Sequence, residues 1–255
     1  GVNDVLALKD ADCGIAMASG AQAASQVAQL VLLDSDFAAL PHVVDEGRRV
    51  INNIQRSASL FLVKNIFSLL LSLVSLCLPL VYPFQPLQLS LLSAVTIGLP
   101  SFVLALEPNY ELVRGKFLHN VLHAALPGGL TDFLLVFCAQ GFAYAFGLSA
   151  DALGTISTLL VLETGLIVLF RVCRPFNAVR WALWVGCAVL GLGGAVLLAP
   201  LLDLIPLDLG GVLVLAVLAA LSMPVLQAMT GLVDGVWRAG RRLKERRAGR
   251  TCESR

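Results

Sequence analysis

Six long apolar stretches, 58–81, 87–106, 121–146, 152–172, 179–201 and 209–233, dominate the sequence. Each reaches or exceeds the roughly 20 residues a helix needs to cross about 30 Å of hydrocarbon. Lipid offers no partner to a free backbone amide or carbonyl, so segments of this kind fold as helices. A bundle of six transmembrane helices is therefore expected, with the lipid bilayer as its first partner. Composition agrees: 58% of residues are hydrophobic and 14% charged, against about 45–50% and about 25% in soluble domains. That excludes a water-soluble globule and a disordered chain, and no nucleic-acid partner is expected.

Residues 1–40 differ in kind, carrying Lys9, Asp10, Asp12, Asp34 and Asp36. Residues 3–11 read as a helix with Asn3 or Asp4 at its cap, and 13–17 alternate as a strand. A second helix is expected over 21–28 and a second strand over 30–33, closed by Asp34-Ser35-Asp36. This pattern is the tail of an α/β domain with a parallel sheet. About 40 residues build no core alone, so sheet neighbours are expected upstream of Gly1. The start lacks a basic segment followed by a short apolar one, and no signal peptide is expected. Residues 42–57 are polar and amphipathic and run without a breaker into the first apolar stretch, which predicts one long helix, half stalk and half span.

Charge placement orients the bundle. Connections 82–86, 147–151 and 202–208 contain no Lys or Arg. The alternate connections carry Arg114, Lys116 and Arg174, with Arg171 and Arg180 alongside. The tail adds Arg238, Arg241, Arg242, Lys244, Arg246, Arg247 and Arg250 against Glu245. By the positive-inside rule the tail is cytoplasmic, and six spans return the amino-terminal piece to the same side. The basic tail reads as a solvated topology signal or a grip on anionic lipid heads. The six cysteines form no CxxC and have no His at metal spacing. Four lie in apolar runs as small buried hydrophobes, and neither a disulfide framework nor structural zinc is expected.

The segment GVNDVLALKDADCGIAM, residues 1–17, closely resembles the hinge motif TGDGxNDxxALKxADxGIAM of P-type ATPases. The likeness continues through ASGAQAASQVAQLVLLDSDF and EGRRVINNIQRSASLFLVKN, which resemble the end of a HAD-like phosphorylation domain and the stalk into the fifth transmembrane helix. The six spans resemble the last six of ten in that family. The resemblance implies the C-terminal portion of a bacterial cation pump of the plasma membrane. Its implied parts are a phosphorylation-domain fragment (1–40), a stalk (41–57), a six-span domain (58–237) and a basic cytoplasmic tail (238–255). The DKTGT motif, the nucleotide-binding domain, the actuator TGE loop and four helices are not in this sequence. Autophosphorylation, ATP and the upstream part of the same polypeptide belong to a complete pump.

Two sets of site residues follow from the resemblance. Asp4 offers a hard oxygen for Mg²⁺ beside a phosphorylated Asp, and Asn3 a hydrogen bond to the phosphoryl group; read alone, both would simply cap a helix. In the spans, Lys64, Asp132 and Glu163 are ionisable and functional candidates by default. Asp132 and Glu163 each lie about 11 residues, or roughly 16 Å, into neighbouring spans. They are placed to share a proton, face one cation, or neutralise Lys64, which otherwise snorkels; a structural polar contact is the alternative. Gly98 and Pro100 in TIGLPSFVLALEP are expected to interrupt the second span and free carbonyls for a hard cation. The competing reading is a packed proline kink.

Aligned on Pro100, the sequence has Ser93 and Ile97 where the familiar calcium and sodium pumps carry Asn and Asp. Asn65 matches a site Asn, but Ser68 stands where a Glu is usual. With Thr96, these complete the transport-site candidates: Asn65, Ser68, Ser93, Thr96, Gly98, Pro100, Asp132 and Glu163. The sparse carboxylates imply one divalent ion per ATP, calcium first, magnesium or manganese as alternatives. KNIFS with TIGLPSF-LALEPN resembles a bacterial calcium-handling subgroup, and six spans after the hinge argue against heavy-metal pumps, which have two. The alternatives are a P-type lipid flippase, an ATP-independent six-helix transporter, for which an internal repeat is missing, and a membrane-processing enzyme. The last would lack a His partner in the spans, since His42 lies in the stalk and His119 and His123 in or beside a loop.

Overall fold

The computed structural model describes residues 2–78 and 81–253, and beyond Gly240 the backbone alone. The expected tail bases Arg241, Arg242, Lys244, Arg246, Arg247 and Arg250 fall outside the described side chains, as Gly1 falls outside the described residues. The chain is mostly helical and divides into two compact units, Gly1–Ile51 with Asn109–Leu112, and Asn52–Pro108 with Val113–Arg255.

The first unit opens with a short 3₁₀ turn, Val2–Asp4, leading into α1 (Val5–Asp10). Strands β1 (Ile15–Met17) and β2 (Leu30–Leu32) flank α2 (Gln22–Val27). The strands pair in parallel, Ile15 opposite Leu30 and Met17 opposite Leu32. A crossover helix between parallel strands is what their hydrogen-bond pattern requires. A Cβ on Gly14 would lie 2.6 Å from the Leu8 carbonyl oxygen and 2.8 Å from Gln29 Oε1. Only glycine lets the chain turn there, where Gln29 accepts the Gly14 amide at 2.5 Å. The buried apolar set is small, with Ala16, Ala24 and Leu32, as expected of strands lacking further sheet neighbours.

Helix α3 runs unbroken from Leu40 to Cys77. Pro41 sits in its first turn, where a missing amide costs nothing. Ion pairs Asp45–Arg48 (3.1 Å) and Glu46–Arg49 line its polar start. One helix thus continues from the polar stretch into the first apolar one, as the uninterrupted pattern predicts. Then come α4 (Pro86–Ser93), a π-helical turn (Ala94–Gly98) and α5 (Leu99–Leu106), followed by α6 (Phe117–Phe146), α7 (Ala150–Val172), α8 (Ala178–Leu197) and α9 (Leu209–Glu253). Among the described residues six helices are long and apolar enough to cross a membrane.

The bounds shift by a few residues in several elements, the first span ending at Cys77 and the third beginning at Phe117, and three departures have local reasons. The fifth span stops at Leu197 rather than 201 because the chain turns back on itself, with Leu202 and Leu204 amides bonding Leu198 and Ala199 carbonyls. The last helix passes 233 because no breaker follows. The second span is not interrupted: Pro100 falls in the first turn of α5, where its absent N–H is tolerated. The clash of its ring with the preceding turn is absorbed by one widened π turn.

Helix α7 is the central post, with 72% of its membrane window buried against 28% for α8 and α9. Helix α6 crosses α3 at Gly128 and Gly129: a Cβ on Gly129 would sit 2.7 Å from Ile66 Cβ and 3.0 Å from the Val63 carbonyl oxygen. Backbones approach this closely in membranes only over small residues. Gly129→Val is expected to destabilise the detergent-solubilised protein by about 1–3 kcal/mol or more, as overpacking does, while Gly141→Ala, which meets nothing within 4 Å, leaves the melting temperature within a degree or so of wild type.

Candidate functional site

Helices α3, α4, α6 and α7 and the π turn line a partly open cavity of about 30 Å³. Most of its wall is apolar; the polar groups are Lys64, Ser93, Thr96 and Asp132. Their convergence follows from helix phase. Lys64 lies between Val63 and Phe67 on the buried side of α3, and its Nζ donates to Ser93 Oγ at 2.5 Å. Ser93 in turn donates to the Leu89 carbonyl at 2.5 Å, and Thr96 to that of Leu92 at 2.8 Å. Lys64 therefore does not snorkel to the helix end but turns inward. Gly165 makes room for Thr96, since a Cβ there would lie 2.7 Å from Thr96 Cγ2.

Asp132 is 2% exposed, and its Oδ1 has no hydrogen-bond partner. Its side-chain neighbour is Thr164 on α7. Lys64 is bonded to Ser93 and not paired with it. An uncompensated carboxylate in hydrocarbon costs several kcal/mol, which makes Asp132 the most demanding group in the bundle. Glu163 goes elsewhere: its Oε1 accepts from Ser222 of α9 at 3.0 Å. At 100° per residue, position 163 points away from the face that Val161, Gly165 and Val168 present to the cavity. Depth alone placed the two carboxylates together; rotation separates them.

The remaining span candidates lie around this cavity. Asn65, one step round α3 from Lys64, is exposed, as is Gly98, while Pro100 is buried. Ser68 Oγ lies 3.3 Å from the Tyr82 hydroxyl. Tyr82 belongs to an open groove, also lined by Phe84, Pro86 and Leu89, which reaches Lys64 and Ser93 from the loop side. In the first unit Asn3 and Asp4 are exposed. Asp4 stands at the N-cap of α1 with φ −89° and ψ −4°, helical angles rather than the extended ones of a capping residue, and its side chain makes no cap hydrogen bond.

Two polar clusters escape a reading of the sequence. Glu107 Oε2 accepts from Arg180 Nε at 2.7 Å and lies 3.7 Å from Arg56 Nη1. Asn177 donates to its other oxygen, and Arg180 also donates to the Pro175 carbonyl at 2.6 Å. Asn53 Nδ2 completes the knot on the carbonyls of Ala105 and Glu107, at 3.0 and 3.2 Å. The available signal was a Glu directly after an apolar run and an Arg three residues into another. The second cluster joins α6 to α9: His123 Nε2 lies 2.7 Å from Asp234 Oδ1, and His119 packs on Trp237 at 4.2 Å. Both histidines lie in the first turns of α6, not in a loop.

No family model matches the chain. It is 45% identical over 197 residues to the calcium-transporting ATPase CtpE of Mycobacterium tuberculosis, covering 72% of this chain and 25% of that protein. The CtpE of Mycolicibacterium smegmatis is 43% identical over 204 residues, covering 74% and 26%. The probable cation-transporting ATPase exp7 of Streptococcus pneumoniae is 39% identical over 188 residues, covering 71% and 24%. The chain belongs to the cation-transporting P-type ATPases. It spans about a quarter of the length of the curated relatives it matches. As a P-type ATPase chain with six apolar helices it is a multi-pass membrane protein.

The Glu107 knot yields a stability prediction. Its side chains are 11% and 8% exposed at Glu107 and Arg180, so Glu107→Ala leaves a buried guanidinium uncompensated. A loss of about 3–5 kcal/mol is expected, read as a lowered melting temperature of the solubilised protein. Glu107→Gln, which keeps an acceptor, is expected to lose less.

Proposed function

We propose that this chain is the C-terminal membrane portion of an ATP-driven pump that moves a divalent cation, calcium first, across the plasma membrane through a phosphoenzyme cycle. What supports this reading is one coincidence. The relatives carry calcium or cation transport in their names, and the chain has a cavity among its apolar helices into which Lys64, Ser93, Thr96 and Asp132 converge. In the proposed division, residues 1–40 complete a HAD-like phosphorylation domain, 41–57 are the stalk, 58–237 the membrane domain and 238–255 the basic tail. Both ends lie in the cytoplasm, by the charge asymmetry of the loops.

The proposed phosphorylation chemistry needs a metal and a positioned polyanion more than covalent help from the protein. Asp4 would supply a carboxylate to Mg²⁺ and Asn3 a hydrogen bond to the phosphoryl group. Both residues are exposed at the surface of the first unit, which supports this reading. The phosphorylated Asp and most ATP contacts are assigned to the upstream part of the same polypeptide. Asp4→Asn in the full-length pump is expected to abolish phosphoenzyme formation while leaving the melting temperature unchanged; normal turnover would reduce Asp4 to a turn residue.

The proposed cation route runs between α3 and the α4–α5 helix, with Asn65 and the carbonyls before Pro100 as ligands. Ser68, Ser93, Thr96 and Gly98 border it. The π turn supports this, because a widened turn loosens carbonyls from the regular ladder without breaking the helix. Ion-stimulated ATPase activity of the full-length pump tests it. Asn65→Ala and Pro100→Ala are each expected to raise half-saturating calcium about ten-fold, equivalent to ~1.4 kcal/mol. Unchanged half-saturation in both removes these residues from the site, and stimulation by phospholipid instead of any cation moves the protein to the flippases.

A further inference from the structure

The partly open cavity and the more open groove share a wall made by Lys64, Leu89 and Ser93. On the groove side stand Tyr82, Phe84 and Pro86; on the cavity side stands Asp132, buried and with Oδ1 unbonded. The one polar contact across that wall is the Lys64–Ser93 hydrogen bond. We propose that the cavity is a proton-binding chamber, with Asp132 as acceptor and the Lys64–Ser93 contact as its gate to the groove. This rests on the pump reading and adds to it a proton site on the third span, which shares Ser93 and Thr96 with the border of the cation route.

The chemistry of the wall supports it. A cavity of about 30 Å³ exceeds the roughly 10–15 Å³ a water needs, and polar groups at both ends give that water its partners. Lys64 gives one N–H proton through such a water to Asp132 Oδ1, so the ammonium becomes an amine and the carboxylate a carboxylic acid. The amine then takes a proton from hydronium in the groove. The sum is one proton moved from groove to Asp132, which ends as a neutral acid, while the ammonium of Lys64 is restored on Ser93 Oγ beside the groove. Release reverses the O–H bond when the gate moves. Among the described residues Lys64 is the charged group sharing this cavity. The α4 face and π turn contribute hydroxyls and apolar groups, α7 presents Val161, Gly165 and Val168 with Thr164 adjacent, and Glu163 is occupied by Ser222. Protonation of Asp132 would thus answer to Lys64 and the groove rather than to another carboxylate.

The test is ATP-driven calcium uptake by the full-length pump in proteoliposomes, with a pH-sensitive dye following protons moved per calcium. Wild type is expected to move protons opposite to calcium. Asp132→Asn is expected to lower protons per calcium at least five-fold, and Asp132→Glu to restore most of the signal. Ser93→Ala, which removes the gate contact, is expected to raise resting proton leak several-fold in the absence of ATP; this readout stands even if Asp132→Asn does not fold. An unchanged ratio in Asp132→Asn, or tight vesicles with Ser93→Ala, overturns the proposal. Complete loss of calcium binding in Asp132→Asn also overturns it, by making Asp132 a cation ligand. Absence of any calcium-stimulated ATP hydrolysis in wild type instead sinks the pump reading itself.

Discussion

Inside hydrocarbon every polar atom must find a partner within the protein, because nothing else supplies one. Most of this bundle obeys that constraint locally. Thr96, Thr131, Thr155 and Thr164 each bond back to the carbonyl four residues earlier. Gln88 reaches the Leu202 carbonyl at 2.8 Å, and Gln140 that of Val81 at 3.0 Å. Against that background a half-satisfied carboxylate and an inward-turned ammonium stand out. A core selected only for packing would replace Asp132 and Lys64 with apolar side chains and gain stability by doing so. Their presence around one cavity is a cost that a functional requirement explains.

The same constraint governs the ends of the bundle. Glu107, Arg180, Arg56, Asn53 and Asn177 tie the close of α5 to the start of α8 and to α3. Glu107 there meets Arg180, Asn177 and Arg56, and Arg180 also bonds the Pro175 carbonyl, multiple bonding of the kind under which a buried pair stabilises rather than destabilises. The two polar sites therefore differ in kind: the knot holds its carboxylate between two guanidinium groups, whereas Asp132 Oδ1 in the cavity has no hydrogen-bond partner. A pump needs both a fixed frame and a group free to alternate.

Much of this architecture was legible in the sequence. The six helices follow from the length of the apolar runs, the α3 rod from the absence of a breaker over 42–77, and the parallel strands from a helix set between two short alternating runs. What was not legible is rotational phase. Asp132 and Glu163 share a depth, and depth is all that counting residues provides. Rotational phase is set where small residues let helices approach: Gly128 brings α6 against Val168 of α7 and Val63 of α3, Gly129 brings it against Ile66 of α3, and Gly165 brings α7 against Thr96. The Glu107–Arg180 pair spans 73 residues, and no local pattern marks two such partners. The π turn was half legible: Pro100 announces a disturbance, but whether a helix breaks or widens depends on the packing of Val95, Thr96 and Ile97, all buried.

That packing also determines where the second span can deform. Its first turn is held by Gln88 on the Leu202 carbonyl, and its end by Glu107 in the knot. Between these anchors the α-helical ladder is intact except over Ala94–Gly98. A π turn holds one residue more than a regular turn, and passing that residue along the helix rotates the segments on either side relative to each other. With both ends fixed, rotation is confined to the stretch carrying Ser93, Thr96 and Ile97, the residues that face the cavity. Moving Ser93 breaks its contact with Lys64; moving Thr96 is limited by Gly165, which leaves no slack on that side. Under the proposed gate, a change in the π turn would therefore act on the Lys64–Ser93 contact.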